Sequence, residues 1–276
     1  MSSKSSVKRL GRAALEPARI PRELLLRWPW ASFESRLKWD ALDRPGYAYG
    51  TYQAARQAKA LGLKGISVIE LGVAGGRGLM ALESHAREIE ARFGIEIDVF
   101  GFDLGSGMPA PVDYRDMPYV WKPGYFKMKR QVLESRLKSA EIIVGDVAET
   151  VPDFVSRPGI APIGFVAFDL DYYSSTVAAL ALLSVDSWLL LPRVFCHFDD
   201  VVGDDWELHS EYTGELLAIS EFNAARADRK LARIHGLAYK RMIPAEWHVK
   251  QYVLHYFSHP QYGQHVGRSD WQIPIG

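Results

Sequence analysis

Short apolar runs rich in β-branched residues alternate with stretches of helical spacing along most of the chain. That alternation predicts parallel strands buried on both faces and joined by helices. The first run, SVIEL at 67–71, passes through a glycine-rich turn into LMALESHAREIEARF (79–93), which has helical periodicity. IDVFGFD (97–103), AEIIVGD (140–146), the head of IGFVAFDLDYYSST (163–176) and RVFCHFDD (193–200) read as the second to fifth strands. Helices are expected in QVLESRLKSA (131–140), AETVPDFV (148–155), STVAALALL (175–183) and over about 211–229. IHGLAYKRMI (234–243) and KQYVLHYFS (250–258) read as two closing strands, paired antiparallel at the sheet edge. Ahead of the first strand, 33–63 reads as two helices broken at Arg44-Pro45-Gly46 and expected to cap the ligand pocket. The fold class is α/β: a doubly wound, Rossmann-like seven-stranded sheet, mostly parallel with an antiparallel edge strand, and a helical N-terminal extension.

The turn after the first strand carries Glu70, Gly72, Gly75, Gly76 and Gly78 in the spacing E-x-G-x-x-G-G, not the G-x-G-x-x-G of dinucleotide binders. Strand, glycine turn, helix is the layout in which such a sheet holds a nucleotide-like ligand at its carboxyl edge. Missing Cβ atoms let backbone N–H groups approach that ligand. The turn resembles motif I of the class I S-adenosylmethionine (AdoMet) methyltransferases. Asp103 closes the second strand roughly thirty residues on, where an acid either accepts from ribose hydroxyls or caps a turn. Asp146, after Gly145, either receives an adenine amino group or caps the following helix.

Composition narrows the classes. The chain has 276 residues, enough for one large α/β domain with extensions. Its 33 basic residues balance 33 acidic ones, which argues against a duplex-binding surface, and no nucleic-acid partner is expected. A single cysteine, Cys196, excludes an intrachain disulfide and suits a reducing compartment, so a cytoplasmic location is expected. No apolar run reaches the ~18 residues of a transmembrane helix, and no signal-peptide core is seen. The first thirty residues differ: Lys4, Lys8, Arg9, Arg12, Arg19, Arg22 and Arg27 face only Glu16 and Glu23, a local excess of about five positive charges. With Leu24, Leu25, Leu26, Trp28 and Trp30 they form an arm that either packs on the domain or a second subunit, or meets a membrane surface or acidic partner. A homo-oligomer is expected.

The long segment after Asp103 carries Tyr114, Tyr119, Trp121 and Tyr125, which suit a lid or substrate wall as well as simple packing. Asp169 closes the fourth strand, and Asp199 and Asp200 close the fifth. Acids at neighbouring strand ends converge on one crevice and repel strongly unless a cation sits between them. A hard divalent ion, Mg²⁺ above all, answers that repulsion. Asp204 and Asp205, just beyond, read as solvated loop acids.

FDLGSGMP, VGDVAETVP, FDLDYYSST and FDD, in that order over about residues 66–205, resemble the pattern of the macrocin-type O-methyltransferases, Mg²⁺-dependent enzymes that methylate sugar hydroxyls of macrolides. The resemblance implies AdoMet on Glu70 to Gly76, its ribose on Asp103, its adenine beside Gly145 and Asp146, and a metal on Asp169, Asp199 and Asp200. The basic arm is expected to span 1–32 and a class I methyltransferase-like α/β domain 33–276. Those sugar enzymes use a histidine between strands two and three, yet no histidine occurs from Phe100 to Val166. His197 shares a strand face with Asp199 and, with Asp169, is the catalytic candidate; Lys122, Asp171 and Tyr172 are further candidates for the base. The expected activity is Mg²⁺-assisted, AdoMet-dependent methylation of a hydroxyl on a sugar or glycosylated natural product. The alternatives are a catechol-like acceptor, since an ion chelates any vicinal diol, or a cephalosporin-hydroxylase-like or non-catalytic ligand-binding protein on the same fold.

Overall fold

The computed structural model describes residues 20–267 apart from Arg27, Pro29 and Met242. Lys4, Lys8, Arg9, Arg12, Arg19 and Arg27 of the basic arm therefore lie outside the described residues. Seven strands, β1 (Gly65–Leu71), β2 (Glu96–Asp103), β3 (Glu141–Val144), β4 (Ile163–Phe168), β5 (Leu190–Phe198), β6 (Arg229–Arg233) and β7 (Gln251–Tyr256), form one sheet. Their order is β3-β2-β1-β4-β5-β7-β6. The first five run parallel, and β7 pairs antiparallel with both β5 and β6. The antiparallel strand thus sits one place in from the edge.

Five helices complete the layers: α1 (Pro45–Ala60), α2 (Arg77–Phe93), α3 (Val147–Val155), α4 (Tyr173–Ala179) and α5 (Gly214–Ala225). α1 packs on α2 and on β4 and β5, while α3 meets α4 and α4 meets α5. Covered on both faces, β4 is buried throughout, and every residue of β1 after Gly65 is buried. Phe168 of β4 stacks on Phe198 of β5 with centroids 4.4 Å apart. Each such fully buried side chain contributes about 1.5–3 kcal/mol, so the ends of β4 and β5 are rigid where their acids project.

Three expectations need correction. The residues 33–63 do not simply cap the pocket: Ala48, Ala54, Ala55 and Ala58 of α1 are fully buried, so the helix is a layer of the core, and only its N-cap Arg44 lines the main cavity. QVLESRLKSA is helical only over Arg130–Glu134. IHGLAYKRMI is not a strand; β6 lies earlier, and Leu237–Lys240 is a helical turn. β6 escapes the hydrophobic pattern because one of its two inward residues, beside Leu231, is Arg229. Its guanidinium lies 3.7 Å over the Tyr256 ring and donates to the Leu183 and Val185 carbonyls. No helix among the described residues is long and apolar enough to cross a membrane.

Candidate active site

One cavity of about 550 Å³ opens at the carboxyl ends of β1, β2, β4 and β5, across the switch between β1 and β4. Open α/β sheets seat ligands at this place because neighbouring connections leave in opposite directions.

The glycine turn forms one wall. Gly72 donates to the Phe102 carbonyl at 2.9 Å and has φ +88°; a Cβ there would overlap the Asp169 carbonyl. A Cβ on Gly75 would meet nothing within 4 Å, so this residue faces open cavity. Gly76 (φ +80°) precedes α2 without a side-chain cap, which leaves the first N–H groups of the helix uncapped. Gly76 itself faces Leu133, and Gly145 donates to the Asp103 carbonyl at 3.0 Å; neither lines the cavity, whereas Gly72, Gly75, Gly78 and Asp146 do.

Asp103 braces this wall. Its Oδ2 accepts from the N–H groups of Val73 (3.0 Å) and Ala74 (2.8 Å), and its Oδ1 from Gly105 (2.5 Å). Asp146 caps α3 by accepting from Ala148 N–H at 2.8 Å. Glu70 ends β1 beneath the turn, 1 % exposed, and its Oε1 accepts from the Tyr47 hydroxyl at 2.9 Å. Its Oε2 is buried without a partner. Burial, then the Asp169 charge, raises its carboxyl well above the usual range against the Tyr47 bond that lowers it.

The opposite wall is acidic. Asp169, Asp199 and Asp200 each bring a carboxylate oxygen within 4.8 Å of the others. The directions are set by backbone pairing: Asp169 N–H donates to the Leu71 carbonyl and Phe198 N–H to the Lys250 carbonyl, both at 2.9 Å. Asp200 Oδ2 accepts from Asp171 N–H (2.9 Å), and Asp200 N–H donates to Glu215 Oε2 (3.0 Å). Burial, then the Asp199 charge, pushes Asp169 up to about 7. Burial, then Asp169, pushes Asp171 up to about 7. Asp200 and Glu215 are raised well above the usual range, by burial first. Burial would raise Asp199 too, but the His197 hydrogen bond and the Lys250 ammonium outweigh it and hold it below.

His197 stands behind this wall rather than in it. It is 3 % exposed, its ring lies edge-on to Tyr47, and it does not line the main cavity. Gln251 Nε2 donates to its Nδ1 at 2.5 Å, which puts the ring proton on Nε2, 3.2 Å from Asp199 Oδ1. Neither nitrogen is left to take a proton from a ligand, and burial lowers the ring's pKa. Lys122 is exposed and Tyr172 is buried against the Pro109 carbonyl; of the three further base candidates, only Asp171 lines the cavity. Met108, Pro109, Trp121 and Phe126 of the long segment line it too, whereas Tyr114, Tyr119 and Tyr125 do not.

Sequence reading missed Arg44, Tyr47, Glu215 and Lys250. Arg44 holds a left-handed conformation (φ +43°) just before Pro45, with its Nη1 3.9 Å from Asp169 Oδ2. Lys250 Nζ lies 3.2 Å from Asp199 Oδ1. A cation ahead of Pro-Gly was the one available signal for Arg44; nothing local marked the others.

No protein-family model and no curated protein matches the chain. Among solved structures, the calicheamicin methyltransferase CalS11 superposes with a TM-score of 0.53 at 20 % identity, covering 87 % of this chain and 91 % of its own. The O-methyltransferase NovP gives 0.48 at 16 % identity, over 66 % and 72 %. At these identities the CalS11 likeness shows the fold alone, the seven-stranded Rossmann-like α/β sheet described above.

Proposed function

We propose that this chain, which has the class I methyltransferase fold, is an AdoMet-dependent O-methyltransferase assisted by a divalent cation, Mg²⁺ by preference. Its acceptor is a hydroxyl on a sugar or glycosylated metabolite. The observation that carries the reading is one cavity with a glycine wall on one side and three converging acids on the other.

Features of each wall fit the group assigned to it. The unpartnered Glu70 Oε2, the open face of Gly75 and the uncapped start of α2 suit the amino-acid end of AdoMet, which carries both an ammonium and a carboxylate. AdoMet supplies an electrophilic methyl group. Asp103 holds the turn in shape; with three N–H groups already accepted, its carboxylate keeps capacity for about one more donor, a single ribose hydroxyl. Asp146 also lines the cavity, and the adenine amino group is assigned to it beside the cap it already makes.

Asp169, Asp199 and Asp200 would hold the cation, whose Lewis acidity lowers the pKa of acceptor hydroxyls and orients them. His197 keeps Asp199 turned toward its partners and so acts as a positioning residue. Deprotonation falls to Asp171, the one base candidate that lines the cavity, whose carboxyl burial raises above the ordinary aspartate value. The chain's main contribution is alignment of the acceptor oxygen with the methyl group.

The test is calorimetric titration of S-adenosylhomocysteine with and without Mg²⁺, followed by methyl transfer to a panel of glycosides and catechols. Binding of the nucleoside, and turnover that EDTA abolishes, are expected. Absence of nucleoside binding, or turnover indifferent to EDTA, overturns the respective half.

A further inference from the structure

A second cavity of about 180 Å³ adjoins the first, and Arg44, Asp199, Glu246 and Lys250 line both. Its remaining walls include Tyr47, whose hydroxyl is spent on Glu70, and Trp247. Trp247 is 8 % exposed, and its indole N–H is buried without a hydrogen-bond partner among the described residues. A buried donor left unpaired costs about 1–3 kcal/mol, so a small shift of this ring toward the cavity that it lines would gain a hydrogen bond once an acceptor occupied it.

The other polar groups point the same way. Arg44 makes no hydrogen bond with its guanidinium; its nearest carboxylate oxygen, on Asp169, is 3.9 Å away. Lys250 gives one of its three hydrogens to Asp199 Oδ1, and that oxygen also accepts from His197. Asp199 is therefore already satisfied on this side, and Glu246, at the rim, is exposed to water. Among the lining side chains Arg44 and Lys250 keep spare donors, and their two positive charges face one carboxylate inside, Asp199, and Glu246 at the rim. A cation shared by Asp169, Asp199 and Asp200 would also draw those acids away from Arg44 and Lys250, leaving both without their present counter-charges.

We infer that the smaller cavity seats an anionic oxygen group, a carboxylate or a phosphate, carried by the acceptor beside the hydroxyl that is methylated. This rests on the methyltransferase reading and narrows it: the acceptor is acidic, and Arg44, Lys250 and Trp247 select for its charge. Arg44 and Lys250 supply charge-assisted donors and the Trp247 N–H fixes the orientation of the group between them.

The experiment uses the full chain with ¹⁵N-labelled tryptophan, the Trp247 indole signal being assigned by its loss in Trp247→Phe. Acetate, inorganic phosphate and neutral methyl glucoside are titrated separately. Saturable movement of the Trp247 signal by acetate or phosphate is expected, and which anion acts names the group. Arg44→Gln or Lys250→Gln should weaken it about tenfold, the worth of one charge-assisted hydrogen bond. Should Trp247→Phe fail to fold, the wild-type indole signal that moves with an anion and loses that response in Lys250→Gln serves instead. A Trp247 signal that ignores both anions, that moves only with the glucoside, or whose anion response survives both substitutions overturns the inference. S-adenosylhomocysteine titrated into the same sample reports the methyltransferase assignment independently, so the two readings fail separately.

Discussion

The two walls of the main cavity are built on opposite principles. On the β1–β2 side, Asp103 accepts three backbone N–H groups and so has its charge compensated within the fold. On the β4–β5 side, Asp169, Asp171, Asp199, Asp200 and Glu215 crowd together against only Arg44 and Lys250, and four of the five carboxyls are raised by burial and mutual repulsion. The turn of the first wall is thus preorganised, with Glu70 Oε2 beneath it left as the one buried acceptor there without a partner among the described residues. The second is held in place by its strands at an electrostatic cost that a counter-charge from outside would relieve. Binding a nucleoside should thus ask little of the protein, whereas binding a cation should change its stability and its titration.

The comparison breaks most sharply at Asp169. Asp169→Ala should lower methyl transfer roughly 10²- to 10³-fold, the share that cation assistance supplies, while S-adenosylhomocysteine binding by calorimetry stays nearly unchanged. Equal loss of both would merge the two walls into one. Asp103→Ala acts on the other side: three N–H groups lose their acceptor, and nucleoside affinity should fall by about 1–3 kcal/mol, with Mn²⁺ binding by electron paramagnetic resonance unaffected.

The pH dependence of stability sharpens the contrast further. Asp169 and Asp171 titrate near 7 in the folded chain against 3.8 for an ordinary aspartate. Acids raised on folding contribute stability that is full below the unfolded value and is lost as pH climbs through the folded one. Asp199, held low, is ionised in both states across pH 6–8 and adds no slope there. In EDTA the melting temperature should therefore drop from pH 6 to pH 8, and Mg²⁺ should flatten that drop. A melting temperature that rises with pH in EDTA would remove the picture of an uncompensated wall. The smallest effect is expected from Tyr47→Phe, which costs Glu70 one hydrogen bond and should lower stability by about 0.5–1.5 kcal/mol in denaturant unfolding.

Much of this was legible before any coordinates. Strands one to five are short apolar runs, and each ends at or just before an acid or a glycine turn; burial on both faces makes such runs stand out. Because strand ends point their residues into the crevice, the convergence of Asp169 with Asp199 and Asp200 followed from order alone. The errors have local causes. β6 hid because one of its two inward residues is an arginine buried by stacking on Tyr256. His197 shares a face with Asp199 as alternation requires, but Gln251 and Asp199 occupy its two nitrogens, and Gln251 is 54 residues away.

What the sequence by itself determined is the order of the strands and the chemistry placed at each of their ends, since periodicity and chain direction are local properties. Only the tertiary structure decided which charges face those acids. Arg44 arrives from the turn before α1 and Lys250 from the residue before β7, about 125 and 80 residues from Asp169, and pairing across such separations is set by how layers pack rather than by any neighbour in the chain. The same packing set Trp247 in the wall of the smaller cavity, whose existence no local pattern announces.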